Sequence, residues 1–317
     1  MMTCIFAFFS IFLIVAQATL TFGEMRAIIE KGTIRHLGVP YAHFVSGRGD
    51  GFSTELIKGF ANDLGVRYEY VETTWQSVLT DLTGKTYQVD DGKVDVTGES
   101  PIKGDVIATG LTILPWRKAL LDFSRPTFPT GIWLVARSDS PLQPIRPGRT
   151  IAHDIKTVKS LLNGVSVLYM PGKCLDPALY QLENTGATFI PLNLKMNEFV
   201  PAVINRDADC TLLDVADSMI ALEKWPGKLK IIGPVTDHQK MGCGFRKSDA
   251  DLCARFNHLN WAIVELAAYT RQMSFRYSRL CGKASNDGDA VRSATPPGGQ
   301  ILGGNNGLSY YRACPFS

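Results

Sequence analysis

Between residues 34 and 108, short apolar strands alternate with one-sided helices, and that alternation restricts the fold more than any other feature of the chain. Residues 34–39 read as a first strand. Residues 53–64 read as a helix capped by Ser53, with Leu56, Ile57, Phe60, Ala61 and Leu64 on one face and Gly65 as its stop. Residues 67–71 alternate as a strand. Trp75 opens a second helix that turns Val78, Leu79 and Leu82 inward, and residues 105–108 form a buried strand. A β-α-β-α-β run of this kind calls for right-handed crossovers and a mostly parallel sheet flanked by helices, so the expected class is α/β.

The strand at 105–108 leads into the most specific stretch, residues 104–123 (GDVIATGLTILPWRKALLDF). Gly110 lets a ligand approach the backbone, Thr112 offers a hydroxyl, and Arg117 offers a planar fork that fits a carboxylate in two bonds. Together they make an anion site. A second stretch, residues 207–214, brings an apolar strand to Asp214. A partly desolvated carboxylate there requires a cation or several donors as partner, and the alternative role for Asp214 is the N-cap of the next helix.

These two stretches resemble the bacterial extracellular solute-binding proteins of family 3, the type II periplasmic receptors of polar amino-acid ABC importers. The first shares Asp105, Gly110, Thr112 and Arg117 with the pattern D-x-x-x-x-G-[ILM]-T-x-[ST]-x-x-R, followed by the D-F-S-x-P element at residues 122–126. The second shares the Asp-to-Asp spacing of the family's R-x-D-A-x-x-x-D, with Asp214 five residues beyond Asp209. The resemblance covers roughly residues 30–280. It implies that Thr112 and Arg117 hold the ligand's α-carboxylate and that Asp214 holds its ammonium. Tyr41 and Trp75 would wall the ligand's apolar atoms, although both positions suit plain core packing too. It further implies that the turn of Pro171, Gly172, Lys173 and Cys174, opening a helix at 176–183, gives a second grip on the carboxylate. Two features depart from the family: Trp116 stands where an acidic residue usually precedes the arginine, and residues 86–103 are an insertion that reads as a solvated hairpin turning at Asp91 and Gly92.

The fold implied is two lobes joined by two hinge crossings. One lobe takes residues 24–129 with 236–281, the other residues 130–235, and the ligand closes between them. Residues 1–18 carry no charge and end in an A-x-A site, which reads as a secretory signal peptide; an uncleaved anchor is the alternative. The tail, 282–317, is rich in Gly, Ser, Asn and Pro and reads as poorly ordered.

With 317 residues, 45% hydrophobic and 20% charged, the chain suits two globular units. Its 33 basic and 30 acidic residues give a net charge of +3, with no basic stripe, so a nucleic-acid partner is not expected. Of seven cysteines, Cys4 falls in the leader. Cys210 reads as a small buried residue, and the pairing of the remaining cysteines is open. No metal-ligand spacing and no catalytic motif is found, so neither a cofactor nor a metal is expected. The function implied is a monomeric periplasmic receptor that captures an amino acid or related small carboxylate and hands it to ABC permease subunits. The alternatives are an enzyme on the same fold, of the cyclohexadienyl or arogenate dehydratase type, and a sensory or lytic-transglycosylase-related ligand-binding domain.

Overall fold

A computed structural model describes residues 23–46, 50–90, 92–192 and 198–259. The expected leader and the tail lie outside the described residues. The chain folds into two compact units. The first runs up to Thr127 and resumes at Gly242; the second begins at Phe128 and runs through Met241.

The first unit opens with helix α1 (Gly23–Lys31) and strand β1 (Thr33–Gly38), followed by helix α2 (Phe52–Leu64). Gly51 occupies the cap of α2, and Ser53 is buried in the first turn rather than capping it. Gly65 ends the helix at φ 69°, in the left-handed region that glycine enters freely. Strand β2 (Arg67–Glu72) and helix α3 (Val78–Thr83) come next; Trp75 lies ahead of α3, not within it. The insertion is an antiparallel hairpin, β3 (Lys85–Asp90) and β4 (Lys93–Glu99). Strand β5 (Val106–Thr112) is buried along its whole length and includes Gly110 and Thr112. Pro115 then starts the short helix α4 (Pro115–Leu120), which runs into β6 (Leu121–Phe123).

The second unit holds β7 (Phe128–Thr130), β8 (Ile132–Arg137), α5 (Ile151–Ser160), β9 (Ser166–Tyr169) and β10 (Thr188–Pro191). These are followed by α6 (Phe199–Ile204), β11 (Cys210–Asp214), α7 (Val215–Lys224) and β12 (Leu229–Pro234). The helix expected over 176–183 is absent. Two short 3₁₀ turns, Pro177–Tyr180 and Glu183–Thr185, replace it, with Gln181 at φ 55° between them. Strand β13 (Gln239–Arg246) returns the chain to the first unit, where α8 (Ala250–Leu259) follows.

The sheet built around the first unit has the order β2-β1-β5-β13-β6, with β7 also pairing β13. β1 runs parallel to β2 and β5, whereas β13 runs antiparallel to β6 and β7. The second unit's sheet has the order β10-β9-β11-β8-β12, parallel on the β9 side and antiparallel where β8 meets β11 and β12. Both sheets are flanked by helices. In the first unit Phe60 of α2 meets Phe256 of α8 edge-on at 5.1 Å, and Phe245 of β13 lies against the same ring at 5.5 Å. These rings close a core with Ile57, Val106 and Leu252.

Several buried charges in the first unit are paired. Asp105 takes the Arg35 guanidinium at 2.7 and 3.1 Å and the Arg35 backbone N–H at 2.9 Å. Arg246 bridges Asp105 and Asp249 and donates to the carbonyls of Gly104 and Leu82. Burial pushes the Asp105 carboxyl upward, but the bonds from Arg35 and the charge of Arg246 outweigh it and hold the group below the ordinary range. Cys174, Cys210, Cys243 and Cys253 are buried thiols; Cys281 and Cys314 lie outside the described residues.

Candidate functional site

In the first unit the site residues gather at the C-terminal end of β5. Gly110 has φ 67°, and a Cβ there would stand 2.8 Å from the Phe44 ring and 2.9 Å from the Tyr41 ring. Backbone conformation and aromatic approach therefore both require glycine at this point. Tyr41 and Phe44 stack at 5.7 Å and 7° between planes, and Trp75 meets Tyr41 edge-on at 5.4 Å. The tight loop at 41–45, closed by the Tyr41 and Val45 bridge, sets the first two rings. Among the described residues, the Trp75 Nε1 is enclosed and has no hydrogen-bond partner. Tyr41, Trp75 and Gly110 thus come together, with Phe44 as a further member.

Two residues on, Thr112 is buried, and its carbonyl accepts from Arg117 Nη1 at 2.8 Å. Arg117 is 2% exposed, so its charge is held inside the protein rather than on a helix surface. Its guanidinium carbon lies 5.2 Å from the centroid of the Trp116 ring. Trp116 in turn packs on Tyr87 of the hairpin, ring centroids 6.1 Å apart. The hairpin is therefore docked at its base, which corrects the expectation of a wholly solvated flap. Sequence reasoning missed Tyr87; the unexplained Trp116 was the available signal.

In the second unit Asp214 ends β11 and caps α7, its Oδ1 accepting from the Asp217 backbone N–H at 3.0 Å. The capping role weighed from sequence is therefore present. Asp214 is 2% exposed. Burial pushes its carboxyl up to about 6 against the backbone N–H bonds that favour its charge. Asp217 is also raised, by burial and by the neighbouring Asp214 charge, and its Oδ2 is enclosed without a hydrogen-bond partner among the described residues. Sequence reasoning passed over Asp217. Asp209 is committed to structure: its Oδ2 accepts from the backbone N–H and hydroxyl of Ser166.

The turn at 171–174 is built differently from expectation. Gly172 sits at φ 65° and is exposed, and its N–H donates to Asp176 Oδ2 at 2.6 Å. That donor is thus already engaged. Lys173 is half-buried, while Cys174 is buried and its carbonyl accepts from the Tyr180 hydroxyl. No α-helix opens from this turn, so the helix-terminus argument for an anion grip does not apply there. Among the described residues no group of His, Cys, Asp or Glu is arranged to hold a metal ion.

This is the mixed α/β fold found in periplasmic amino-acid-binding proteins. Holo ArgBP from T. maritima is 26% identical, with a TM-score of 0.58 over 76% of this chain and 93% of that one. An arginine-bound glycine-to-alanine mutant of ArgBP is 25% identical over 76% of this chain and 99% of its own, with the same TM-score. The ancestral amino-acid-binding protein AncCDT-1, described as a precursor of cyclohexadienyl dehydratase, shares the fold at 21% identity and a TM-score of 0.58, covering 78% and 96%. Among curated proteins, the membrane-bound lytic murein transglycosylase F of Desulfosudis oleivorans is 25% identical over 235 residues, or 73% of this chain. The chain spans 44% of the length of that relative. No family model matches the sequence.

Proposed function

We propose that the protein is a receptor for an amino acid or a related small carboxylate. Thr112 and Arg117 take the carboxylate, Asp214 takes the ammonium, and Tyr41, Phe44 and Trp75 cover the apolar atoms. The observation that carries this reading is the buried Arg117, anchored on the Thr112 carbonyl at the end of the strand that also presents Gly110 to the aromatic rings. A buried guanidinium so placed favours a planar, singly charged anion. The buried Asp214, with Asp217 beside it, favours a cationic group at the other end of the ligand. The likeness to arginine-bound ArgBP supports an amino acid as the solute.

In the same reading the receptor works in the periplasm after removal of residues 1–18 and delivers its ligand as a monomer to ABC permease subunits. No helix among the described residues is long and apolar enough to cross a membrane. Asp214, Arg117 and the aromatic rings bind and orient, with no catalytic role. The match to the transglycosylase supports a second reading, a ligand-binding unit that serves an enzyme.

Calorimetry against a panel of L-amino acids tests the first reading. Arg117→Ala and Asp214→Asn are each expected to weaken binding by about a hundredfold, the scale of a lost charge-assisted pair. Binding undiminished in both variants defeats the assignment. Turnover of prephenate or arogenate by the pure protein shifts the conclusion to an enzyme.

A further inference from the structure

Two features that set this chain apart from the family pattern, Trp116 and the inserted hairpin, meet in space. Tyr87 and Val96 are opposite one another in the hairpin, as are Val89 and Val94, so one face of the ladder is apolar. Tyr87 lies at the root of that face and packs on Trp116, with ring planes 36° apart. Trp116 is 5% exposed, and the Arg117 guanidinium lies over its ring. The other end of the fork is tied to the Thr112 carbonyl. The positive charge of Arg117 is felt at the Tyr87 hydroxyl, where it opposes the upward push of burial.

We propose that Tyr87 and Trp116 are positioning residues for Arg117. The hairpin holds the indole, the indole holds the guanidinium, and the fork is set before the ligand's carboxylate arrives. An indole orients the guanidinium through the ring face and brings no negative charge of its own, which favours an incoming anion. Preorganisation of this kind raises affinity by removing the cost of ordering a long side chain on binding. The inference rests on the reading of Arg117 as the carboxylate grip.

L-arginine and agmatine, its decarboxylated analogue, separate the two ideas when titrated calorimetrically into wild-type protein and into Trp116→Leu, Tyr87→Ala and Tyr87→Phe. Arginine affinity is expected to fall about tenfold in Trp116→Leu and Tyr87→Ala, the scale of a desolvated cation–ring contact, with agmatine affinity unchanged. Tyr87→Phe, which keeps the ring, is expected to match the wild type. Thermal unfolding monitors the fold throughout, and Tyr87→Ala, on the hairpin, serves if Trp116→Leu does not fold. Equal weakening of both ligands in folded variants, or no weakening of arginine, overturns the positioning role and leaves the Arg117 grip standing. Wild-type protein that binds arginine no better than agmatine overturns the grip itself, and this inference with it.

Discussion

At the scale of single residues, two buried groups give the molecule opposite responses to pH. His36 is enclosed in the first unit; its Nε2 donates to the Ala108 carbonyl at 2.6 Å, so its Nδ1 accepts from the Tyr68 hydroxyl at 2.8 Å. Burial lowers its pKa from 6.5 to about 4. The unfolded chain therefore binds the proton first. The stability due to neutral His36 is complete above about pH 6.5 and is lost as pH falls toward 4, by about 3 kcal/mol in all. Denaturant titrations from pH 7 to 4 should show that slope, and His36→Gln should flatten it. Asp214 and Asp217 act in the other direction. Both folded carboxyls are raised; with Asp214 raised to about 6, the ligand-free protein is more stable with that group protonated and loses this stability as pH rises through the folded value. A bound ammonium favours the ionised pair, so affinity for an amino acid should increase between pH 5 and 7 with release of protons. Calorimetry in buffers of different ionisation enthalpy reads that release directly.

At the scale of elements, the end of β5 is tightly constrained by the rings packed on it. Gly110→Ala places a Cβ against two aromatic rings and asks a non-glycine residue to keep φ 67°. A destabilisation of about 1–3 kcal/mol is expected, with loss of amino-acid binding, measurable by thermal unfolding and calorimetry on one preparation. β13 presents a different vulnerability. Arg246→Ala removes a cation shared by Asp105 and Asp249 and takes one partner from each of two enclosed carboxylates, at a cost of about 3–5 kcal/mol in chemical denaturation. How much of this was legible varies with the range of the interaction. The periodicity of residues 56–64 and the glycine after them identify α2 because both signals are local. The capping of α7 by Asp214 follows from its position before an apolar helical run. The contact between Tyr87 and Trp116 was not legible, since it joins residues 29 apart in sequence (116 − 87) through packing that no pattern encodes. The helix expected over 176–183 failed because Pro177 and the left-handed Gln181 favour short 3₁₀ turns. β10 and α6 were missed altogether; the apolar run of α6 is six residues long, too short to separate helix from strand by period.

At the scale of the whole molecule, the order of strands sets a schedule for synthesis. All five strands of the second unit's sheet lie between Ile132 and Pro234, one uninterrupted stretch of chain. The first unit's sheet is different: β13 takes the place between β5 and β6, and it is made more than a hundred residues after both. A nascent chain therefore reaches a stage at which the later-born unit can close its sheet while the earlier-born one still waits for its inner strand. A released fragment ending at residue 238 should protect the stretch from 132 to 234 against protease and leave residues 33–123 open to cleavage. Until translation passes Arg246, the flanks of β5 and β6 stay exposed to wrong partners, and the cell's chaperones would find their substrate there.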